Sequence, residues 1–120
     1  LIAEDNESNY KLFETILKKN YTLIHAWDGE EAVQLFKQHN PHLVLMDINM
    51  PKMDGYGATQ KIREISPDVP VMAITAFAYA EDEQHILNSG FNAYTSKPIQ
   101  AEQLQKQIGN LLKKHFLFLY

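Results

Sequence analysis

The 120-residue sequence contains no cysteine. That absence removes disulfides, thiolate metal sites and cysteine nucleophiles, and leaves the redox environment open. Positive charge is scarce: 11 Lys and Arg stand against 15 Asp and Glu, for a formal net charge of -4. A surface built mainly to hold nucleic acid or anionic lipid is not expected from such a balance. No apolar run approaches the roughly 20 residues of a membrane span, and the start lacks the basic-then-apolar pattern of a signal peptide. Repeats, low-complexity tracts and linkers are also missing. The reading is therefore one soluble, cytoplasmic domain over 1–120, with no nucleic-acid or membrane contacts of its own. The chain opens on Leu1-Ile2-Ala3, which enters a strand already under way, so a domain excised from something longer is expected.

The sequence is organised around His42–Gly55, HLVLMDINMPKMDG. Leu43-Val44-Leu45-Met46 is a continuous apolar run too short for a core helix, and reads as a strand buried on both faces. Asp47 then stands where the strand should end, and the Pro, Asp and Gly that follow belong to a chain turning out of a sheet. The same pattern recurs. Leu1–Glu4 is a short run ending in Glu4-Asp5, Val69–Thr75 ends in Thr75, and Phe91–Ser96 is followed by Lys97-Pro98. Tyr21–Ala26 is a further β-rich stretch. Between these runs, helical spacing places Leu12, Phe13, Ile16 and Leu17 on one face, then Ala32, Val33, Leu35 and Phe36, then Ala58, Ile62 and Ile65. A fourth helix has only Ile86 and Leu87 as clear apolar residues, and a fifth carries Leu104, Ile108, Leu111 and Leu112. Lys18 and Lys19 suit the last turn of the first helix, and Asp28-Gly29-Glu30-Glu31 resembles a capping box.

Five strands alternating with five helices predict an α/β domain with a parallel sheet covered on both faces. Right-handed crossovers place every strand's carboxyl end on one edge, which then collects Glu4, Asp5, Asp47, Thr75 and Lys97. Three carboxylates on one edge repel, and without compensation one would take up a proton. A hard divalent cation is the natural compensation for an oxygen-only cluster, and an incompletely enclosed one suits hydrated Mg²⁺. With the charge neutralised, one carboxylate can act as a nucleophile toward phosphorus, Thr75 can donate to a phosphoryl oxygen, and Lys97 supplies countercharge.

Taken together, Glu4-Asp5, DINMPKMDG from Asp47, MAITAFA around Thr75 and AYTSKP from Ala93 to Pro98 resemble the receiver domain of two-component response regulators, over essentially the whole chain. The resemblance implies a flavodoxin-like, doubly wound five-stranded parallel sheet of strand order 2-1-3-4-5. It implies that Asp47 accepts a phosphoryl group from a histidine kinase or a histidine phosphotransfer domain. Asp5, Asp47 and the backbone carbonyl of Asn49 would ligate Mg²⁺, with Glu4 assisting directly or through water. Thr75 would move toward the phosphoryl group, Lys97 would pair with it, and Tyr94 matches the aromatic residue that turns inward with Thr75. The Lys97-Pro98 bond would be cis. The output surface would be the fourth helix, fifth strand and last helix, through which receivers can also form homodimers. The domain would catalyse only its own phosphorylation and dephosphorylation, any kinase activity lying elsewhere. The EDNESN segment looks more like receivers of hybrid sensor kinases, although a clipped response regulator fits as well.

Other chemistries fit less well. His39 and His42 lack a third ligand for zinc, and His85 lies in a chain with too many strands for a phosphohistidine carrier. A phosphatase of the haloacid dehalogenase type needs a general acid two residues after its nucleophile, where this chain has Asn49. A flavin phosphate would need Gly, Ser or Thr donors where Glu4-Asp5-Asn6-Glu7 stands. Phe77, two residues beyond Thr75, either leans over the phosphoryl site to limit water attack or packs in its loop. The apolar end Phe116–Tyr120 is too short to cross a membrane.

Overall fold

The apolar runs become strands because their residues can be buried on both sides, and each is followed by a helix that covers one of those sides. This computed structural model describes residues 1–76 and 80–119, without the side chains of 80–82 and 114–119. Along the chain run β1 (Ile2–Ala3), α1 (Glu7–Leu17), β2 (His25–Ala26), α2 (Gly29–His39) and β3 (Val44–Asp47). They are followed by α3 (Gly55–Ile65), β4 (Val71–Thr75), α4 (Ala80–Asn88), β5 (Ala93–Ser96) and α5 (Ala101–Leu119). All strand pairs are parallel and the order is β2-β1-β3-β4-β5, as the resemblance implied. In register, Ala3 pairs with Met46, Met46 with Ala73, and Thr75 with Ser96, so the carboxyl ends line up on one edge. The strands are shorter than their apolar runs. For β4 the reason is Pro70, which has no N–H to give the ladder, so pairing starts at Val71.

Alternation along β3 and β4 splits the core in two. Val44, Met46, Val71 and Ala73 pack with Val33, Phe36, Ala58, Ile62 and Ile86 of α2, α3 and α4. Leu45, Met72 and Ile74 pack with Phe13 and Leu17 of α1 and Leu104 and Ile108 of α5. Each such fully buried Leu, Ile or Phe stabilises the fold by about 1.5–3 kcal/mol relative to exposure. Three residues expected on the apolar faces point outward instead: Leu12, Ile65 and Leu87 are 41%, 43% and 40% exposed. The buried stripe of α1 is centred on Phe13 and Leu17, which leaves Leu12 on its rim.

The helix starts are fixed by side chains. Asn6, Asp28 and Asp54 accept from the backbone N–H three residues on, at 2.9, 2.8 and 2.9 Å, each cap contributing about 1 kcal/mol. The expected capping box at α2 is shifted, since Glu31 Oε1 accepts from the N–H of Trp27, one residue before the cap. Helix α1 closes at Leu17 with Lys18 as its cap, so no lysine lies within its last turn. The Lys97-Pro98 peptide is cis. Phe77 lies outside the described residues.

Candidate functional site

Each residue of the carboxyl edge arrives at the end of a different element. Glu4 and Asp5 leave β1, Asp47 ends β3, Thr75 ends β4 and Lys97 follows β5. Glu4, Asp47 and Thr75 are buried, at 1%, 2% and 4% exposure, while Asp5 is exposed. One carboxylate oxygen from each of Glu4, Asp5 and Asp47 lies within 4.8 Å of the other two. Lys97 Nζ donates to Asp47 Oδ2 at 3.0 Å and stands 3.8 Å from Glu4 Oε2. The edge therefore holds the five groups that strand polarity alone had gathered.

The approach to Asp47 is shaped by its loop. The Asn49 N–H donates to Asp47 Oδ1 at 3.1 Å, which sets the Asn49 peptide beside the carboxylate. The chain then folds back so that the Gly55 N–H reaches the Ile48 carbonyl at 2.9 Å. A Cβ on Gly55 would meet the Asp47 carbonyl and would lie 2.8 Å from Ile48 Cα, so only glycine permits this return. Gly29, at the start of α2, is pressed against the Met53 carbonyl in the same way, and Lys52 Nζ stands 3.7 Å from Asp28 Oδ2. The loop is thus seated on the α2 N-terminus.

The expected carboxylate repulsion is visible in Glu4. Burial, then a hydrogen bond and the negative charge of Asp47, push its carboxyl from 4.5 up to about 7, against the opposing pull of Lys97 and Asn9. Glu4 thus keeps its proton to near neutrality when no cation is bound. Glu4 Oε1 accepts from the Asn6 N–H at 3.3 Å and Asn9 Nδ2 at 3.2 Å, whereas among the described residues no N–H donor comes within hydrogen-bond distance of buried Oε2, Lys97 Nζ standing 3.8 Å away. A buried carboxylate oxygen left without a donor is costly, and a cation would satisfy it. All-oxygen donors suit a hard divalent ion, so the residues fit Mg²⁺.

Tyr94 is half-buried on β5 and packs against the α2–α3–α4 side of the core. Its phenol is raised above the usual range, first by burial and then by the charge and hydrogen bond of Glu83 on α4. Glu83 therefore faces Tyr94 from the neighbouring helix. Elsewhere, His39 and His42 line a cavity at the amino end of the sheet with Leu17 and Leu112, away from the carboxylates. Among the described residues, no helix is long and apolar enough to cross a membrane.

Two contributors escaped the sequence reading. Asn9 binds Glu4 Oε1 across the first turn of α1, and its place in EDNESN was the only signal. His25 Nε2 donates to the Glu4 main-chain carbonyl at 2.8 Å, its ring stacked on Tyr10 with centroids 3.7 Å apart and beside Trp27 at 4.2 Å. Nothing in a lone histidine on a short strand announces that contact.

The profile of the response regulator receiver domain matches residues 1–109. The probable transcriptional regulator ycf27 of Guillardia theta is 41% identical over 115 residues, covering 95% of this chain and 45% of its own. The chain thus spans about half the length of the ycf27 relatives. The polar-differentiation response regulator DivK of Brucella ovis is 38% identical, covering 93% of this chain and 94% of its own. Among solved structures, the receiver domain of sensor histidine kinase PA1611 from Pseudomonas aeruginosa PAO1 has a magnesium ion coordinated in its active site cleft. It superposes with a TM-score of 0.86 at 32% identity, covering 93% of this chain and 94% of that one. With the strand order and the acidic edge already in place, this chain belongs to the response regulator receiver domain family.

Proposed function

We propose that Asp47 is the phosphoacceptor of a phosphorelay and that the whole chain, 1–120, acts as one receiver. The observation that carries this reading is the triad of contacts at Asp47: Lys97 Nζ on Oδ2 at 3.0 Å, the Asn49 N–H on Oδ1 at 3.1 Å, and Glu4 and Asp5 within cation-sharing distance. An Asp47 oxygen attacks phosphorus of a phosphohistidine, the N–P bond breaks as the O–P bond forms, and the histidine nitrogen takes a proton. Asp5, Asp47 and the Asn49 carbonyl would hold Mg²⁺, with Glu4 beside them, and the ion supplies charge neutralisation for the transfer. Lys97 would keep its pairing with the phosphorylated side chain, Thr75 would donate to a phosphoryl oxygen, and Tyr94 would leave Glu83 as Thr75 moves. The donor is a histidine kinase or a histidine phosphotransfer domain, met in the cytoplasm, and the output is a changed α4–β5–α5 surface, also the face for any homodimer. Asn49 in place of a general acid is the reason external phosphate esters are not turned over. A place at the end of a hybrid sensor kinase fits the EDNESN segment and the PA1611 likeness.

The test uses phosphoramidate, which carries the P–N bond of phosphohistidine. Borohydride reduction of the product and peptide mapping should convert residue 47, and no other, to homoserine. Modification elsewhere, or none in folded protein, overturns the assignment.

A further inference from the structure

The loop that carries Asn49 is pinned at both ends. At its base the Asn49 N–H donates to Asp47 Oδ1 at 3.1 Å, and the Gly55 N–H returns to the Ile48 carbonyl at 2.9 Å. At its tip Pro51, Lys52 and Met53 form a tight turn, closed by the Met53 N–H on the Pro51 carbonyl at 2.7 Å. Lys52, at the centre of that turn, has a φ of 66°, a left-handed conformation that glycine adopts at less cost. A three-residue turn of this hand is strained, so contacts outside it must hold it in place. The tip rests on the N-terminus of α2, where the Met53 carbonyl lies against Gly29 and Lys52 Nζ stands 3.7 Å from Asp28 Oδ2. Asp28 serves both loops, since its Oδ1 accepts from the Glu31 N–H at 2.8 Å while Oδ2 faces Lys52. The Asp28 side chain is 14% exposed and already fixed by the cap, so the ion pair has to order one side chain rather than two.

A glycine at position 52 would relax the backbone but would leave Asp28 Oδ2 without its ammonium. What the lysine adds is a tie between the loop tip and α2. Only Met50 separates the turn from Asn49, so a shift of the tip is passed directly to the Asn49 peptide. Mg²⁺ demands near-octahedral geometry at about 2.0–2.1 Å, and a carbonyl serves it only when held to within about 0.5 Å. We propose that Lys52 is a positioning residue of the acidic pocket: paired with Asp28, it holds the Pro51–Met53 turn on α2 and so fixes where the Asn49 carbonyl stands. The inference rests on reading the pocket as a divalent-cation site with that carbonyl among its donors.

Mg²⁺ is titrated into the whole chain at constant ionic strength, following the Asn49 and Asp47 amides by ¹⁵N NMR, and exchange of the Met53 amide is measured in chelator. Lys52→Ala removes the ammonium, Asp28→Asn removes the carboxylate charge but keeps a capping oxygen, and Lys52→Arg retains the pair. The Ala and Asn variants should each weaken Mg²⁺ binding about three-fold, the size expected of a partly exposed ion pair, and the double variant no further. Lys52→Arg should bind as wild type does. Metal-free Met53 exchange should quicken about three-fold in both weakened variants. Charge alone predicts the opposite sign for one of them, since deleting a cation beside the pocket would tighten Mg²⁺. Lys52→Gly separates fit from folding: its urea midpoint should match or exceed wild type while Mg²⁺ binding still weakens. Binding as tight as wild type in folded Lys52→Ala, losses that add in the double variant, or unchanged Met53 exchange overturns the role given to Lys52. Absence of any Mg²⁺ response in wild type overturns instead the reading of the pocket on which it stands.

Discussion

Replacing Glu4 with glutamine should reverse a pH-dependent weakness built into the acidic edge. In the folded chain the Glu4 carboxyl holds its proton up to about 7, whereas unfolded it releases it near 4.5. Between those values the folded state binds more protons, so its stability falls as pH rises; below 4.5 the term vanishes and above about 7 the loss is complete. A difference of about 2.5 pH units corresponds to roughly 3 kcal/mol, which screening by solvent at the mouth where Asp5 is exposed reduces to about 1.5–2 kcal/mol. Glutamine keeps a donor toward Asp47 and carries no charge at any pH. The informative quantity is therefore the difference between variant and wild type. Urea unfolding in the presence of a chelator, from pH 4.5 to 8, should show Glu4→Gln gaining about 1.5–2 kcal/mol on wild type as pH rises. A difference that stays flat would refute the carboxylate repulsion argued for this edge.

Three further outcomes follow from the same structure. Arg63 donates to the carbonyl of Gly90 and to Asn92 Oδ1 at 2.7 Å, and also to the carbonyl of Val69. Asn92 Oδ1 in turn accepts from the Val71 N–H. Arg63→Ala should therefore cost about 2–4 kcal/mol in denaturant unfolding, because several carbonyls lose their donor together. Gly29→Ala must displace the Met53 carbonyl; a loss of about 1–3 kcal/mol is expected, with weaker Mg²⁺ binding in NMR titration because the Asn49 loop moves. Lys97→Ala removes the cation that pulls the Glu4 carboxyl down, so a ¹³C carboxyl titration should find Glu4 releasing its proton at higher pH than in wild type.

The sheet and the polar groups gathered at its carboxyl edge were legible because both follow from local rules. Buried runs such as Leu43–Met46 leave few alternatives to a strand, and the handedness of crossovers brings the ends of Asp47, Thr75 and Lys97 together without any knowledge of contacts. Helix faces were read less accurately. Leu12 beside Phe13, and Leu87 beside Ile86, are equivalent in periodicity, and only the packing of α1 and α4 decides which of each pair turns inward. The supporting contacts were not legible at all. Asn9 to Glu4 depends on the angle at which α1 leaves β1, His25 to Glu4 on the pairing of β1 with β2, and Gly29 to Met53 on two loops meeting. Such contacts are set by tertiary geometry, and residue type alone carries no trace of them.

The most direct test of phosphoryl acceptance at Asp47 is intact mass after incubation with acetyl phosphate and Mg²⁺, beside Asp47→Asn and a chelated control. The account predicts one phosphoryl adduct in wild type, absent from the variant and lost on chelation. A folded wild type that forms no adduct, or an adduct that survives in Asp47→Asn or without the metal, would contradict it.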